Sequence, residues 1–471
     1  MHLFSGNRLY YVLFVCILMT AATYYHRFPT GDDAWFGEQS YWLEKEGVIR
    51  SEFFRGIAGW EKQLLVSHKL FLTVGALLIH WFGFHLPVLQ FTGLLFFLIM
   101  TAELAFYVRS KVSAENLWYV PAILILVFTN RLLIKMSFEN RPEMMLAAFG
   151  FGAFLLIRSK ANDMHTAAGG ILAGLAFLSH LNGIIYVIAG FGTLLLLKRY
   201  CSAVCFGIFS GLTCALYLTD ILSAENGFEI WWYQFRHDPA TQAAFSFQTK
   251  LIQILTYPRL FFHSPEQIAL SLLLVYLLWV QRKLIRTLPA ELKLFSLLLF
   301  FSFWIITKAN GGLYLLLFMP FMFALVFELY RIRPFVNTGL KLVLLAYFVI
   351  GIFGTVQIIV KNHKLGFLPD TYAKLRKHLP GKATGVVPLT FFYNEYEQFP
   401  RLLTHENYKL YAEKKNMTAG KFGTWAYKKG ADFILMDYDF NAESYFPAPG
   451  TARIPFFHLV YFDGRFAVYQ K

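Results

Sequence analysis

Two adjacent carboxylates, Asp32 and Asp33, follow the first apolar run of the chain in the stretch GDDAWFGEQSYWL. Repulsion between neighbouring carboxylates favours a bound metal ion, a cationic ligand or a raised pKa on one partner. The aromatic residues that follow are suited to lying along lipid headgroups. A second charged pair, Glu61 and Lys62, precedes the next apolar run. The loop 26–63 is therefore the first candidate site, and a divalent cation on Asp32 and Asp33 is one interpretation of it.

Three further positions place polar chemistry at the ends of apolar runs. Arg141 and Glu143 lie in KMSFENRPE, where the proline and glutamate also suit the start of a helix. His180 lies in SHLNG between two apolar runs, a place where a polar residue often has no catalytic role. Lys308 precedes another run, and it can either bind a phosphate or extend its charge to the membrane surface.

The composition places these residues in a membrane protein. Of 471 residues, 57% are hydrophobic, 18% aromatic and only 15% charged, which lies well outside the range of soluble proteins. The net charge of +14 does not indicate nucleic acid, because lysine and arginine form no long runs. The four cysteines stand in apolar stretches and predict neither disulfides nor a zinc site. The sequence has no phosphate-binding glycine loop, nucleophile elbow or HExxH motif.

A membrane-spanning helix needs roughly 20 mainly apolar residues. Suitable or nearly suitable runs lie at 9–25, 64–82, 86–107, 117–134, 142–157, 165–179, 183–197, 201–219, 266–281, 294–308, 311–329 and 339–360. Basic residues collect in short cytoplasmic loops, and their clusters fit this rule if the N-terminus is cytoplasmic and 64–107 crosses only once net. We therefore expect about 11 crossings. The loop 26–63, the connection 135–143, the loop 220–265 and the C-terminal part would then share the outer face.

The composition changes after about residue 360, and we predict two domains, a membrane domain over 1–360 and a soluble outer domain over 361–471. PDTYAKLRKHL and AGKFGTWAYKKG have helical patterns, whereas TGVVPLTFF and ADFILMDYD have strand patterns. Asp463-Gly464 in YFDGRFAVY predicts a hairpin with a type I′ turn. The fold class expected is a mainly α polytopic membrane protein with a small C-terminal α/β domain.

These motifs together resemble the GT-C integral membrane glycosyltransferases, in the branch of the protein O-mannosyltransferases and aminoarabinose transferases (glycosyltransferase family 39-like). Asp32-Asp33-Ala34 stands where that branch usually has Asp-Glu-Ala, and Trp60-Glu61-Lys62 is similar to its Phe-Glu-Lys-Pro, although Gln63 replaces the proline. Arg141-Pro142-Glu143 resembles its acidic motif before a helix. In GGLYLLLFMPFMFAL, which is similar to the Arg-Tyr-Leu-Leu-Pro segment, Leu313 stands in the arginine position. The resemblance covers roughly residues 9–360 and implies about 11–13 transmembrane helices.

The resemblance also implies a function. Such an enzyme moves a sugar, with inversion, from a polyprenyl-phosphate donor to a glycolipid, glycan or protein acceptor on the outer face of a bacterial inner membrane. Asp32 is then the expected catalytic base, with Asp33 and Glu61 as its acidic partners or, for Asp32 and Asp33, as ligands of a divalent cation. The expected contacts of the lipid phosphate and substrate are Lys62, Arg141, Glu143, Lys308 and His180. A transporter or flippase of lipid-linked sugars and an O-antigen polymerase or ligase are the alternatives.

Overall fold

The structure is a computed structural model that describes residues 6–158, 163–238, 246–306, 311–411, 417–440 and 442–471. The N-terminal part is helical. Its helices, numbered in chain order, are α1 (Gly6–Ala22), α2 (Gly31–Glu46), α3 (Lys69–Phe82), α4 (Leu86–Arg109), α5 (Tyr119–Phe128), α6 (Arg131–Met136), α7 (Glu143–Arg158), α8 (Asp163–Ser179), α9 (Ile184–Leu196), α10 (Tyr200–Ala215), α11 (Thr219–Ser223), α12 (Gly227–His237), α13 (Phe247–Leu255), α14 (Pro265–Val280), α15 (Ala290–Ile306), α16 (Met319–Ile332) and α17 (Thr338–Leu365).

Three helical stretches of the described chain are long and apolar enough to cross a membrane: Leu86–Arg109, Tyr200–Ser223 and Thr338–His378. Shorter apolar helices accompany them, among them Arg8–Ala22 and Pro265–Val280. Their outward faces carry large apolar side chains, such as Phe106, which is 61% exposed. This pattern is that of a multi-pass membrane protein. The expected number of crossings stays a prediction.

Helix α2 begins where its sequence provides a capping box. The Thr30 N–H donates to Asp33 Oδ2 (2.6 Å), and the Asp33 N–H donates back to the Thr30 hydroxyl (3.4 Å). The helix ends at Gly47, whose φ of 70° is the left-handed conformation that glycine adopts readily. Half of its sixteen residues are buried, including Glu38, which is fully buried. The expected headgroup-facing stretch is therefore a packed helix, because the C-terminal part of the chain covers it.

The C-terminal part is a six-stranded mixed sheet of order β2-β1-β3-β6-β5-β4. The pairs β1–β2 and β1–β3 are parallel, and the other pairs are antiparallel. Its elements are α18 (Leu368–Leu375), β1 (Thr384–Val387), α19 (Phe392–Glu395), β2 (Arg401–Thr404), α20 (His405–Tyr411), α21 (Ala419–Lys428), β3 (Phe433–Asp437), β4 (Arg453–Ile454), β5 (Phe457–Phe462) and β6 (Phe466–Gln470).

Alternation along β3 gives the sheet two apolar faces. Phe433 and Leu435 belong to the large core that continues into the helical part, whereas Ile434 and Met436 pack in a separate core with α21. The C-terminal part is thus continuous with the helical core on one face. Helix α17 continues to Leu365, so the proposed boundary at residue 361 falls inside a helix.

The predicted hairpin is present between β5 and β6, but its predicted turn type is wrong. A type I′ turn needs positive φ at two successive residues, and within the turn only Gly464 has one (94°). The reason is local, because the Asp463 carboxylate accepts the N–H groups of Arg465 (2.9 Å) and Phe466 (2.7 Å) and thereby holds the turn.

Candidate functional site

A single arginine joins the first turn of α2 to the start of α7. Arg141 forms a bidentate pair with Glu143, with distances of 2.8 Å (Nη2–Oε1) and 3.2 Å (Nε–Oε2), and its Nη1 contacts Asp32 Oδ2. The side chains of Arg141 and Glu143 are only 11% and 3% exposed, whereas that of Asp32 is 56% exposed. The group Asp32–Arg141–Glu143, called the triad below, therefore presents an exposed carboxylate on a rigid, buried support.

Asp33 turns the opposite way and is fully buried. Its carboxyl closes the capping box of α2, and its backbone carbonyl accepts the Asn140 side-chain N–H (3.0 Å) and the Tyr393 hydroxyl (2.5 Å). Burial, reinforced by the nearby charge of Glu139, raises the pKa of Asp33 to about 8. Asp33 is thus mainly protonated at neutral pH and acts as a structural group between α2, the 135–143 connection and the C-terminal domain.

Beneath the triad lies a second layer of buried charge. Glu139 is 2% exposed, and burial raises its pKa although Lys135 and Arg27 lie close enough to oppose that shift. Arg27 is 4% exposed, donates to Thr23 Oγ1 (2.9 Å) and the Ile134 carbonyl (3.0 Å), and also interacts electrostatically with Asp33. This layer fixes the end of α1 to the connection that carries Arg141.

Two histidines and a tyrosine border the triad on another side. The rings of His68 and His180 stack with centroids 4.3 Å apart, and His180 Nδ1 accepts the Asn182 backbone N–H (2.9 Å). The neutral ring of His180 therefore carries its proton on Nε2. Burial lowers the pKa of His68 well below its ordinary value, and the charges of His180 and Arg141 act in the same direction. The Tyr314 ring lies 6.1 Å from that of His180 and within electrostatic range of the triad.

The loop after α2 is organised by Glu38. Its carboxylate accepts the Ser51 hydroxyl (2.6 Å) and the N–H groups of Glu52 (2.6 Å) and Phe53 (3.1 Å), and burial nevertheless raises its pKa to about 7. Glu61 accepts the Gly56 N–H (3.1 Å) within the loop, and Lys62 is exposed beside it. Glu61 and Lys62 thus belong to the loop after α2, and the Glu61 carboxylate takes no part in the capping box formed by Thr30 and Asp33.

Several solved structures are similar to this chain in overall fold. ArnT from Cupriavidus metallidurans bound to undecaprenyl phosphate aligns with a TM-score of 0.61 over 99% of this chain and 98% of that chain, at 12% identity. The chain has the GT-C fold. The apo form of ArnT aligns at 0.55 with 13% identity and the same coverage, and the apo oligosaccharyltransferase of Archaeoglobus fulgidus at 0.51 with 11% identity, over 91% of this chain and 69% of that chain. No protein-family model and no curated protein matches the chain by sequence.

The comparison confirms the predicted fold class, a mainly α GT-C membrane protein with a small C-terminal α/β domain. Of the predicted site residues, the GT-C fold brings together Asp32, Arg141 and Glu143, with His180 beside them. Lys308 lies outside the described residues. The roles of all these residues stay predictions.

The donor set does not fit a metal held jointly by Asp32 and Asp33. Asp33 is fully buried and its Oδ2 accepts the Thr30 N–H of the capping box, while Arg141 contacts one oxygen of the exposed Asp32. Within the described ranges, no group of three histidine, cysteine, aspartate or glutamate side chains converges on a common point. We therefore derive no step through a metal ion.

Three residues beside the candidate site were not predicted from the sequence: Arg27, His68 and Tyr393. Arg27 follows the first apolar run on the same side as Asp32, which was an available signal. His68 directly precedes α3, so its position near one end of an apolar run was also an available signal. Tyr393 lies 360 positions from Asp33 in the chain, and no local pattern pairs the two.

Proposed function

We propose that this chain is an inverting glycosyltransferase that moves a sugar from a polyprenyl-phosphate donor to an acceptor hydroxyl. The GT-C fold supports the class, and the crystal structure of ArnT with undecaprenyl phosphate shows that a protein of this fold holds such a carrier. The observation that carries the proposal is the exposed Asp32 carboxylate fixed by the buried Arg141–Glu143 pair.

Asp32 is the general base of the proposed reaction. It takes the proton of the acceptor hydroxyl, whose oxygen attacks the anomeric carbon as the bond from that carbon to the phosphate oxygen breaks. The polyprenyl phosphate leaves with the bonding electron pair, and a single displacement inverts the anomeric centre. Positioned donors stabilise the charge that develops on the phosphate. His180, which lies beside the triad, is assigned to this task, and the exposed Lys62 of the loop after α2 is the second group proposed for it.

The proposed site lies on the outer face of a bacterial inner membrane, with the N-terminus in the cytoplasm. Two features support this orientation. The basic clusters of the short loops fit the cytoplasmic side on that topology. The triad and the C-terminal domain lie together at the opposite end, since Tyr393 contacts the backbone of Asp33. The acceptor is then a glycolipid, a glycan or a protein of the cell envelope.

Mass spectrometry of envelope glycolipids and glycoproteins, with and without the gene, tests the proposal. A sugar should be missing from one acceptor class in the deletion strain and return with the wild-type gene. Asp32→Asn should fail to restore it, because an amide cannot accept the proton. Asp370→Asn is the matched control, since Asp370 is also an exposed carboxylate in the first turn of a helix. Full restoration by a normally expressed Asp32→Asn protein would refute the proposal.

A further inference from the structure

A polar cleft of about 590 Å³ opens between the C-terminal half of α2, the loop that follows it and the segment that enters β2. It does not include any residue of the triad or the histidine pair. The residues that carry its chemistry are Trp42, Arg50, Arg55, Tyr396, Glu397 and Arg401.

The lining combines flat aromatic rings with charged hydrogen-bonding groups. The Trp42 and Tyr396 rings meet edge to face with centroids 5.6 Å apart, and the Arg50 guanidinium lies 3.6 Å from the centre of the Trp42 ring. Glu397 accepts the Tyr41 hydroxyl (2.5 Å), which ties the wall from the C-terminal domain to α2. Arg50 covers one face of the Trp42 ring and Phe53 stacks on Tyr396, so the rings contribute their remaining apolar surface. Guanidinium and carboxylate groups offer donors and acceptors for hydroxyl groups. This combination suits a saccharide.

The charges of the cleft favour an anionic saccharide. Arg50 and Arg55 share Glu52 through contacts of 2.6 Å and 2.5 Å, so their charges are partly compensated. Arg401 has no ion pair with any residue that the structure describes, and its buried Nε has no hydrogen-bond partner there. Arg50 also pairs with Glu46 (2.7 Å), so Arg401 is the arginine of this lining whose charge no described carboxylate compensates.

Helix α2 joins this cleft to the proposed reaction centre. Tyr41 stands nine residues after Asp32, which corresponds to about 14 Å along a helix axis. Two tyrosines of the C-terminal domain cover one side of that helix. Tyr393 contacts the Asp33 backbone, and the Tyr396 ring lies against the Tyr41 ring with centroids 6.0 Å apart. A bound saccharide in the cleft would therefore be held at a fixed distance from the carboxylate.

We infer that this cleft binds the acceptor through a saccharide unit that carries a phosphate or carboxylate group, and that Arg401 pairs with that group. The inference rests on the proposed function in treating the bound saccharide as the acceptor. It adds the substrate class, an anionic glycan, and a binding surface built jointly by the outer loop and the C-terminal domain. Arg401 is a binding residue and takes no part in the proton transfer at Asp32.

Saturation-transfer-difference NMR on the full chain, in nanodiscs of phosphatidylcholine, tests the binding without requiring transfer. The observed probes are glucose 6-phosphate and glucose, and inorganic phosphate, which has no carbon-bound protons, is measured as a competitor of glucose 6-phosphate. Glucose 6-phosphate should bind at least fivefold more tightly than either of the others, because the ring and the charge are both recognised. Arg401→Gln keeps most of the side-chain stem and should weaken that binding at least fivefold. Lys377→Ala removes an exposed positive charge elsewhere in the C-terminal domain and should leave it unchanged.

The outcomes separate this inference from the proposed function. Equal binding to wild type and Arg401→Gln, equal binding of phosphate and glucose 6-phosphate, or displacement by undecaprenyl phosphate would each overturn the inference. Arg55→Ala is a second variant that stays informative if Arg401→Gln folds poorly, because the Arg55 side chain is 39% exposed. This variant should weaken the binding of glucose 6-phosphate at least twofold. Unchanged binding would contradict the assignment of the cleft. The proposed function is tested by a separate experiment, in which restoration of the missing envelope sugar by Asp32→Asn would refute it.

Discussion

Replacing Asp33 by asparagine should remove a pH dependence of stability that the wild-type protein has between pH 6 and 8. In the folded protein the pKa of Asp33 is raised from 3.8 to about 8, chiefly by burial. Between these values the folded state holds a proton that the unfolded state has lost, so stability falls as the pH rises. The slope is about 1.4 kcal/mol per pH unit, and it flattens near pH 8 as the folded group also ionises. The loss from pH 6 to 8 is then about 2 kcal/mol.

Asparagine is the informative substitution because it resembles the protonated acid. Its amide oxygen can accept the Thr30 N–H as Asp33 Oδ2 does, and its NH₂ group replaces the acid proton. We expect the apparent melting temperature of wild type in nanodiscs to fall by about 2–4 °C more than that of Asp33→Asn from pH 6 to 8. Asp370→Asn should keep the wild-type slope. Parallel curves for wild type and Asp33→Asn would show that Asp33 does not titrate in this range and would refute the reasoning.

Three other perturbations test the remaining parts of the site. Arg141→Lys should lower kcat for transfer at least tenfold with a smaller effect on KM, because a point charge cannot hold Asp32 while pairing with both oxygens of Glu143; steady-state kinetics check this, and an unchanged kcat contradicts it. Glu38→Ala should destabilise the protein by about 1–3 kcal/mol and speed proteolysis of the following loop, whose N–H groups lose their acceptor. Incubation with EDTA should leave transfer within twofold, since Asp33 is committed to the capping box; abolished transfer that Mg²⁺ or Mn²⁺ restores would contradict this.

The sequence was informative wherever the signal was local. Apolar runs predicted the helical part, and the strand pattern of ADFILMDYD predicted β3 (Phe433–Asp437). The paired acids, the Arg-Pro-Glu step and His180 were each identified from their position at the end of an apolar run. Local patterns suffice here because hydrophobic periodicity and helix capping involve residues a few positions apart.

What the sequence did not predict depends on contacts across long separations. Asp33 accepts the Tyr393 hydroxyl on its carbonyl, and α2 is buried by a segment more than 350 residues later, so its aromatic residues pack rather than face headgroups. The sequence also did not predict that Asp32 is exposed while Asp33 is buried. Adjacent residues on a helix face directions about 100° apart. Which of those directions is buried depends on the tertiary structure.

The difference in burial between Asp32 and Asp33 reduces the repulsion that two adjacent carboxylates would have. Two ionised groups at the mouth of one helix would repel each other, and a metal ion or a shared proton is the usual remedy. Here burial keeps Asp33 mainly protonated near neutral pH, and Arg141 compensates the charge of Asp32. Two neighbouring carboxyl groups in such different environments, one buried and one exposed, are typical of sites where one of them does chemistry. In the proposed reaction the exposed Asp32 accepts the proton, and the buried Asp33 holds the first turn of the helix that carries it.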